Sequence, residues 1–213
     1  MAETLKLGNG IWGTKENSLL SYNDENGNYK PLPFDFTRAS SATVVNKAGL
    51  IETVQSGTPR IDFLGNTNGA LKLEPQRTNL ITYSNDFSNA AWTKIGNTAV
   101  ASNTVISPDG TQNGDTVTGL NGAGSNDLRF TSSENPASIT YTSSVYLKGS
   151  GTLRIQMSNN VDDAGSTILT LTSSWVRYDL TYTFNSTSGT LALTLDDSDV
   201  TATTYDIWGA QLE

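Results

Sequence analysis

Carboxylates, lysines, tyrosines and hydroxyls are the side chains on which any catalysis in this sequence would depend. The 213 residues include no histidine and no cysteine, which excludes a Ser-His-Asp triad, a thiol nucleophile, a His-ligated metal and a disulfide framework. Acidic residues cluster at Asp162-Asp163 and at Asp196-Asp-Ser-Asp199. Glycoside hydrolysis needs two carboxylates on facing walls about 5–10 Å apart, whereas neighbours in a turn point apart. We therefore expect no enzymatic activity and assign these aspartates to solvated turns, with calcium binding as the alternative.

The charge of the chain excludes two classes of partner. Thirteen Lys and Arg against 21 Asp and Glu give a net charge of −8 and a sequence pI of about 4.5. Nucleic acid and anionic lipid are both bound largely through basic side chains. The apolar runs are far shorter than the roughly 20 residues of a membrane span, and no secretory signal is visible at the N-terminus. We expect a protein that binds no nucleic acid and does not insert into membranes.

The composition predicts an all-β fold. Thr, Ser and Asn number 30, 23 and 20, about a third of the chain. Threonine favours strands, whereas Asn, Ser and the nineteen glycines favour turns. Apolar residues alternate most clearly in the second part, at Ile139, Tyr141, Val145 and Leu147, at Leu153, Ile155 and Met157, from Val176 to Phe184, and from Leu191 to Leu195. Eight or nine strands over residues 84–213 predict an antiparallel jelly-roll sandwich.

The first part of the chain differs in pattern and charge. Residues 1–83 hold eight basic and eight acidic side chains, whereas residues 84–213 hold five and thirteen, so the whole net charge lies in the second part. Short strand-like pieces such as Ala42–Val45 and Arg60–Phe63 are separated by Asn-Gly and Lys-Ala-Gly turns. We place a boundary near Tyr83-Ser84 and interpret residues 1–83 as an irregular arm for attachment and oligomerisation. Its unpaired strand edges favour pairing with another chain.

Several strings in the sequence resemble a family of bacteriophage tail and capsid-surface proteins. These strings are Phe36-Thr-Arg-Ala-Ser-Ser-Ala-Thr43, Asn46-Lys-Ala-Gly-Leu-Ile-Glu52, Leu73-Glu-Pro-Gln-Arg-Thr-Asn-Leu80, Tyr83-Ser-Asn-Asp-Phe-Ser-Asn-Ala-Ala-Trp92 and Tyr205-Asp-Ile-Trp-Gly-Ala-Gln-Leu-Glu213. The resemblance covers residue 34 to the C-terminus and implies a sandwich similar to carbohydrate-binding modules. It also implies a protein of the virion surface, assembled in the host cytoplasm, that is usually a homotrimer.

The resemblance leaves the position on the virion open. Because the chain stops at the first module, we favour a short head fibre or capsid decoration protein over a tail fibre or tail adaptor that binds a receptor. The expected partners are other copies of the chain, capsid or tail proteins, and cell-surface glycans. The anchor to the particle is expected to include Leu7, Ile11, Trp12 and Tyr22. The second alternative is a glycan-binding module of a bacterial surface protein, although no secretion or sorting signal is visible.

A glycan site needs aromatic faces for stacking and polar side chains for the sugar hydroxyls. Strand parity places five suitable residues opposite the core side: Arg129, Tyr146, Lys148, Arg154 and Gln156. We predict that they share one sheet face and bind a glycan. A solvated sheet surface or a subunit interface explains them equally well.

Two further expectations follow from the resemblance. Similar modules often hold a structural ion near their first and last strands, which would involve Asp86 and Asp206 here. No other cofactor is expected. Trp92, Trp175 and Trp208 are expected in the core, and Trp12 against a partner.

Overall fold

The protein forms two compact units, Met1–Gln76 and Arg77–Glu213. The computed structural model describes residues 36–74, 77–136, 139–198 and 200–213, and the backbone of three short strands nearer the N-terminus. Every regular element in these residues is a β-strand. None of them belongs to a helix that is long and apolar enough to cross a membrane.

The described residues of the first unit form short antiparallel strands in three small sheets. The first sheet has the order β1-β2-β3, the second pairs β4 with β5, and the third pairs β6 with β7. The strands are β1 (Trp12–Gly13), β2 (Ser21–Asn23), β3 (Tyr29–Pro31), β4 (Ala42–Val45), β5 (Ile51–Val54), β6 (Ile61–Asp62) and β7 (Ala70–Leu71). These lengths confirm the prediction of an irregular segment with short strands.

Polar contacts hold much of the described part of the first unit together. Val44 is its buried hydrophobic residue, at 4% exposure. The Arg38 guanidinium donates to the carbonyls of Gln55 and Thr58 at 2.6 and 3.0 Å, which ties the start of this segment to the turn after β5. Arg60 forms an ion pair with Glu74 at 2.9 Å. The described part of this unit depends on such contacts, because the burial of apolar surface within it contributes little.

The second unit is a sandwich of two five-stranded antiparallel sheets. Sheet I has the strand order β15-β12-β17-β10-β9, and sheet II has the order β14-β13-β16-β11-β8. The strands are β8 (Trp92–Ile95), β9 (Ala99–Val105), β10 (Gly114–Thr118), β11 (Ala123–Thr131), β12 (Thr140–Gly149), β13 (Thr152–Ser158), β14 (Ala164–Thr170), β15 (Val176–Thr183), β16 (Ala192–Ser198) and β17 (Thr204–Leu212). The all-β jelly-roll prediction is confirmed.

Alternating apolar residues from both sheets form the core between them. Val145 and Leu147 of sheet I, and Leu153 and Ile155 of sheet II, are fully buried. Ile139, which was expected on the same face as Tyr141, is instead 54% exposed because β12 begins one residue after it. The inward residues of each strand therefore define the outward ones, on which a binding site must be sought.

Residues 77–83 pack with the second unit, although the sequence placed the boundary after them. The Leu80 amide donates to the Leu212 carbonyl at 2.8 Å, and the Leu212 amide donates to Asn79 Oδ1 at 2.9 Å. Ile81 lies in the core of the sandwich at 3% exposure. These contacts extend the second unit to residue 77.

Candidate functional site

The five residues predicted to form one glycan-binding face lie on two different sheets. Tyr146 and Lys148 belong to β12 in sheet I, whereas Arg129 belongs to β11, and Arg154 and Gln156 to β13, in sheet II. All five point away from the core, as their buried neighbours show. The prediction of a shared face is nevertheless wrong. Parity separates the inward from the outward side of a strand, but a sandwich has two outward sides.

The outward side of sheet II carries an ordered set of ion pairs, which we call the arginine face. It comprises Asp127, Arg129, Arg154, Gln156, Thr194 and Asp196. Arg129 Nη2 donates to Asp127 at 2.8 Å, and Arg129 Nε donates to Thr194 Oγ1 at 3.3 Å. Arg154 Nε donates to both carboxylate oxygens of Asp196 at 2.9 Å. Each arginine on this face therefore already has a carboxylate partner.

Burial limits what the arginine face offers to a ligand. Asp196, on the outward side of the central strand β16, is only 2% exposed, and its neighbour Asp197 is fully buried. The assignment of these two aspartates to a solvated turn is therefore wrong. Burial raises the pKa of Asp127; the Arg129 guanidinium opposes this, and the charge of Asp196 adds to it. None of the outward strand residues described on sheet II is aromatic. The arginine face lacks the stacking surface that a pyranose ring requires.

The outward side of sheet I carries aromatic rings beside charged groups, and we call it the aromatic face. It comprises Tyr146, Lys148, Trp175, Arg177, Asp206 and Trp208. Tyr146 of β12 lies between its cross-strand partners Arg177 of β15 and Trp208 of β17. Trp175 immediately precedes β15. Three adjacent strands thus bring these residues together from distant parts of the sequence.

Three aromatic rings on this face are held by specific contacts. Tyr146 and Trp208 meet edge to face, with ring centroids 5.6 Å apart. The Trp175 indole donates from Nε1 to the Ile106 carbonyl at 2.9 Å, and a Cβ at Gly114 would lie 3.3 Å from its ring. Tyr146 and Trp175 are partly exposed, whereas Trp208 is 7% exposed. Tyr146 and Trp175 therefore present ring surface to solvent, with Trp208 supporting Tyr146.

Two cations accompany the rings and have different partners. Lys148 Nζ lies 3.1 Å from Asp206 and 5.4 Å from the centre of the Trp175 ring. Thr116 Oγ1 also donates to Asp206, at 2.7 Å. Arg177 Nη2 donates to two neutral acceptors, Ser144 Oγ at 2.7 Å and Gln211 Oε1 at 2.6 Å. The aromatic face therefore combines a stacking surface with hydrogen-bonding groups of positive and negative charge.

Of the three tryptophans expected in the core, Trp92 and Trp208 are buried, whereas Trp175 is partly exposed. Trp92 does lie in the core at 1% exposure, where its indole donates to the Tyr83 carbonyl. Trp175 and Trp208 instead lie on the outward side of sheet I. Parity could have identified Trp208, since Ile207 beside it points inward with 0% exposure. The same parity places Trp175 and Arg177 outward on either side of Val176. It could not show that they lie beside Tyr146, because that contact joins different strands.

The two aspartates expected to hold a calcium ion have different neighbours. Asp206 is paired with Lys148, whereas Asp86 accepts from Ser88 Oγ and the Asn89 amide at 2.7 and 3.1 Å. No group of three or more acidic metal ligands occurs among the described residues. A calcium site stays a prediction.

Asp162 and Asp163 stabilise a turn. Asp162 accepts from Asn159 Nδ2 at 2.7 Å. Asp163 accepts from the Tyr182 hydroxyl and from the Asn185 amide. The Tyr182 hydrogen bond in particular lowers the pKa of Asp163. The two carboxylates hold the loops that flank β14 and β15, which is a structural use.

The predicted anchor lies in the first unit. Trp12 and Tyr22 are cross-strand partners in the β1–β2 pair, which places them side by side in one small sheet. Leu7 and Ile11 lie outside the described residues.

Solved structures from several organisms are similar to part of this chain. Tailspike protein 4 of bacteriophage CBA120, in a structure of its enzymatically active domain, is similar at 11% identity over 63% of this chain, with a TM-score of 0.50. A Clostridium thermocellum xylanase 10B fragment with CBM22-1 and GH10 modules is similar at 15% identity over 65% of this chain, with a TM-score of 0.47. The CBM22-1 xylan-binding domain of Paenibacillus barcinonensis Xyn10C is similar at 18% identity over 57% of this chain and 84% of its own length, with a TM-score of 0.45.

These comparisons concern the fold alone. This chain spans 21% of the tailspike chain and 29% of the xylanase fragment. No protein-family model matches the sequence, and no curated protein matches it. The tailspike match, with a TM-score of 0.50, agrees with the all-β sandwich of the second unit.

Proposed function

We propose that this chain is a structural protein of a bacteriophage virion, a short homotrimeric head fibre or capsid decoration protein, whose second unit binds glycans through the aromatic face. The observation that carries the glycan part is the placement of Tyr146 and Trp175 beside Lys148, Arg177 and Asp206 on one outward side. The virion part is supported by the strings described above and by the occurrence of this fold in a phage tailspike protein. We expect no catalytic activity.

The chemistry of the aromatic face suits a sugar ring. Aromatic rings offer a large apolar surface with little loss of side-chain entropy, and the C–H faces of a pyranose can stack on it. The surrounding guanidinium, ammonium, carboxylate and amide groups can exchange hydrogen bonds with ring hydroxyls. Specificity in such sites comes from a few fixed polar groups. Arg177 and Gln211 hold each other at 2.6 Å, so part of this polar rim is already ordered.

A glycan array tests the assignment of the face. The full chain is applied to an array of bacterial surface polysaccharides and plant oligosaccharides, together with the variants Tyr146→Ala and Trp175→Ala. We expect binding by the wild-type chain and at least tenfold weaker binding by each variant, because each loses stacking surface. Gln156→Ala, on the arginine face, is the matched control and should bind normally.

Two outcomes of the array would overturn the assignment. Absence of binding by the wild-type chain would refute the glycan role, and normal binding by both aromatic variants would refute the choice of face. Thermal unfolding of every variant shows whether it is folded, so that a loss of binding can be distinguished from a loss of structure.

The virion role has its own test. Antibodies against the second unit, used with gold labelling on purified particles of the phage that encodes the chain, should decorate the particle surface. Label on the head would support a head fibre or decoration protein, and label on the tail would support a tail fibre or adaptor instead. Particles without label would contradict the proposal.

A further inference from the structure

We infer that the aromatic face selects acidic glycans, and that Arg177 binds the carboxylate of a uronic acid residue. This inference rests on the proposed glycan-binding function and specifies its ligand class. The positive charge of Arg177 and the side chains around it support this ligand class.

Arg177 differs from the other cations on the outward strand positions. Arg129, Arg154 and Lys148 each form an ion pair with an aspartate, at 2.8, 2.9 and 3.1 Å. Arg177 forms no ion pair among the described residues and donates to a serine and a glutamine instead. Its positive charge is therefore not compensated by a carboxylate there, although the unit around it is strongly acidic.

The hydrogen bonds of Arg177 orient its guanidinium but occupy only part of its N–H groups. Both hydrogen bonds come from Nη2, to Ser144 Oγ and to Gln211 Oε1. Ser144 is only 3% exposed, so one of these partners is fixed in the sheet. Nε and Nη1 have no acceptor among the described residues. A guanidinium held in this way retains N–H groups for a carboxylate, whose two oxygens match its planar geometry.

The position of Arg177 links this charge to the stacking surface. Arg177 and Tyr146 are directly paired across β15 and β12, and residues opposite each other in such a pair have Cβ atoms about 5 Å apart. A uronic acid carries its carboxylate on C5 of the pyranose ring. A ring stacked on Tyr146 would therefore bring a carboxylate within reach of the neighbouring arginine.

One acidic residue opposes this selectivity and provides a sensitive control. Asp179 is exposed, lies two residues after Arg177 on β15 and is the cross-strand partner of Ser144. Its negative charge should weaken the binding of an anionic ligand beside Arg177. Removing this charge should strengthen such binding, whereas a purely structural role of Arg177 predicts no such effect.

The test compares acidic oligosaccharides with neutral versions of the same chains. Oligomers of galacturonic, glucuronic and mannuronic acid, and their carboxyl-reduced counterparts, are titrated into the full chain and into Arg177→Gln and Asp179→Asn. We expect at least one acidic oligomer to bind about tenfold or more tightly than its reduced form, because a charge-assisted pair is lost on reduction. Arg177→Gln should abolish this preference, and Asp179→Asn should increase it. Arg154→Gln, on the arginine face, serves as the control and should leave the preference unchanged.

The outcomes separate this inference from the proposed function. Equal or tighter binding of the neutral oligomers, or a preference that persists in Arg177→Gln, would overturn the choice of acidic glycans while the glycan-binding function stands. No binding of any oligomer in this set would overturn the inference. If the array also showed no binding, the proposed function would fall with it.

Discussion

At the scale of single residues, Asp197 shows how a buried charge is stabilised inside this sandwich. It is fully buried and accepts hydrogen bonds from the Asn121 amide at 2.9 Å and from Asn126 Nδ2 at 2.6 Å. These N–H donors outweigh the cost of burial and hold the pKa of Asp197 at about 2, below its ordinary value of 3.8. The network ties the loop before β11 to β16, so this carboxylate helps to position sheet II.

Replacing Asp197 with asparagine should destabilise the protein at neutral pH. The depressed pKa means that the ionised form stabilises the fold fully above about pH 4, and this contribution disappears as the pH falls through 2. We expect Asp197→Asn to lower the free energy of unfolding by about 2 kcal/mol at pH 7, with the difference narrowing towards pH 2. Urea unfolding followed by tryptophan fluorescence measures this. Asp179→Asn is the control and should unfold like the wild type; a pH-independent deficit in Asp197→Asn would contradict the account.

At the scale of elements, the edge strand β14 of sheet II packs closely against the ring of Tyr182 in sheet I. Gly165 of β14 lies beneath Tyr182 of β15, and a Cβ at residue 165 would be 2.2 Å from Cδ2 of the ring. The Tyr182 hydroxyl in turn contacts Asp163 just before β14. The connection between the two sheets at this edge therefore depends on a residue without a side chain.

A double-mutant cycle tests that dependence. Gly165→Ala should destabilise the protein by about 1–3 kcal/mol, since the ring or the strand must move. In a Tyr182→Ala background the same substitution should cost much less, because the obstructing ring is gone. Equal costs in both backgrounds, measured by urea unfolding, would show that the close packing of Gly165 and Tyr182 does not determine stability.

Alternation in the sequence predicted the strands with long apolar periods and the direction of their side chains. It placed Leu153, Ile155 and Met157 inward and Arg154 outward, as the structure has them. It gave no alternating pattern over β9, since Ala99–Val105 contains few apolar residues at alternating positions. It also could not assign strands to sheets, because strand order depends on contacts between distant residues. For that reason alone, the predicted site wrongly combined residues from both sheets.

At the scale of the whole molecule, most of the net charge lies in the second unit. The first unit, residues 1–76, holds seven basic and eight acidic side chains, whereas the second unit, residues 77–213, holds six and thirteen and so carries a net charge of −7. Like-charged second units should repel one another, whereas the first unit has short strands with edges that another copy could pair. The proposed trimer would therefore form through the first unit.

Light scattering tests this assembly. The full chain has a mass of 22.8 kDa, and we expect a species of about three times that mass. A fragment of residues 77–213, provided that it folds, should be monomeric. A monodisperse monomer of the full chain would contradict the trimer.

The central claim is that glycans bind the aromatic face of sheet I, and the indole N–H signals of the tryptophans test it most directly. Trp175 and Trp208 lie on that face, whereas Trp92 lies in the core. The ¹⁵N-labelled full chain is titrated with the strongest ligand from the array, after assignment of each indole signal by a Trp→Phe variant. The account predicts that the signals of Trp175 and Trp208 shift in proportion to saturation while that of Trp92 does not. Unmoved indole signals, together with shifts of the Arg129 and Gln156 amides, would contradict it.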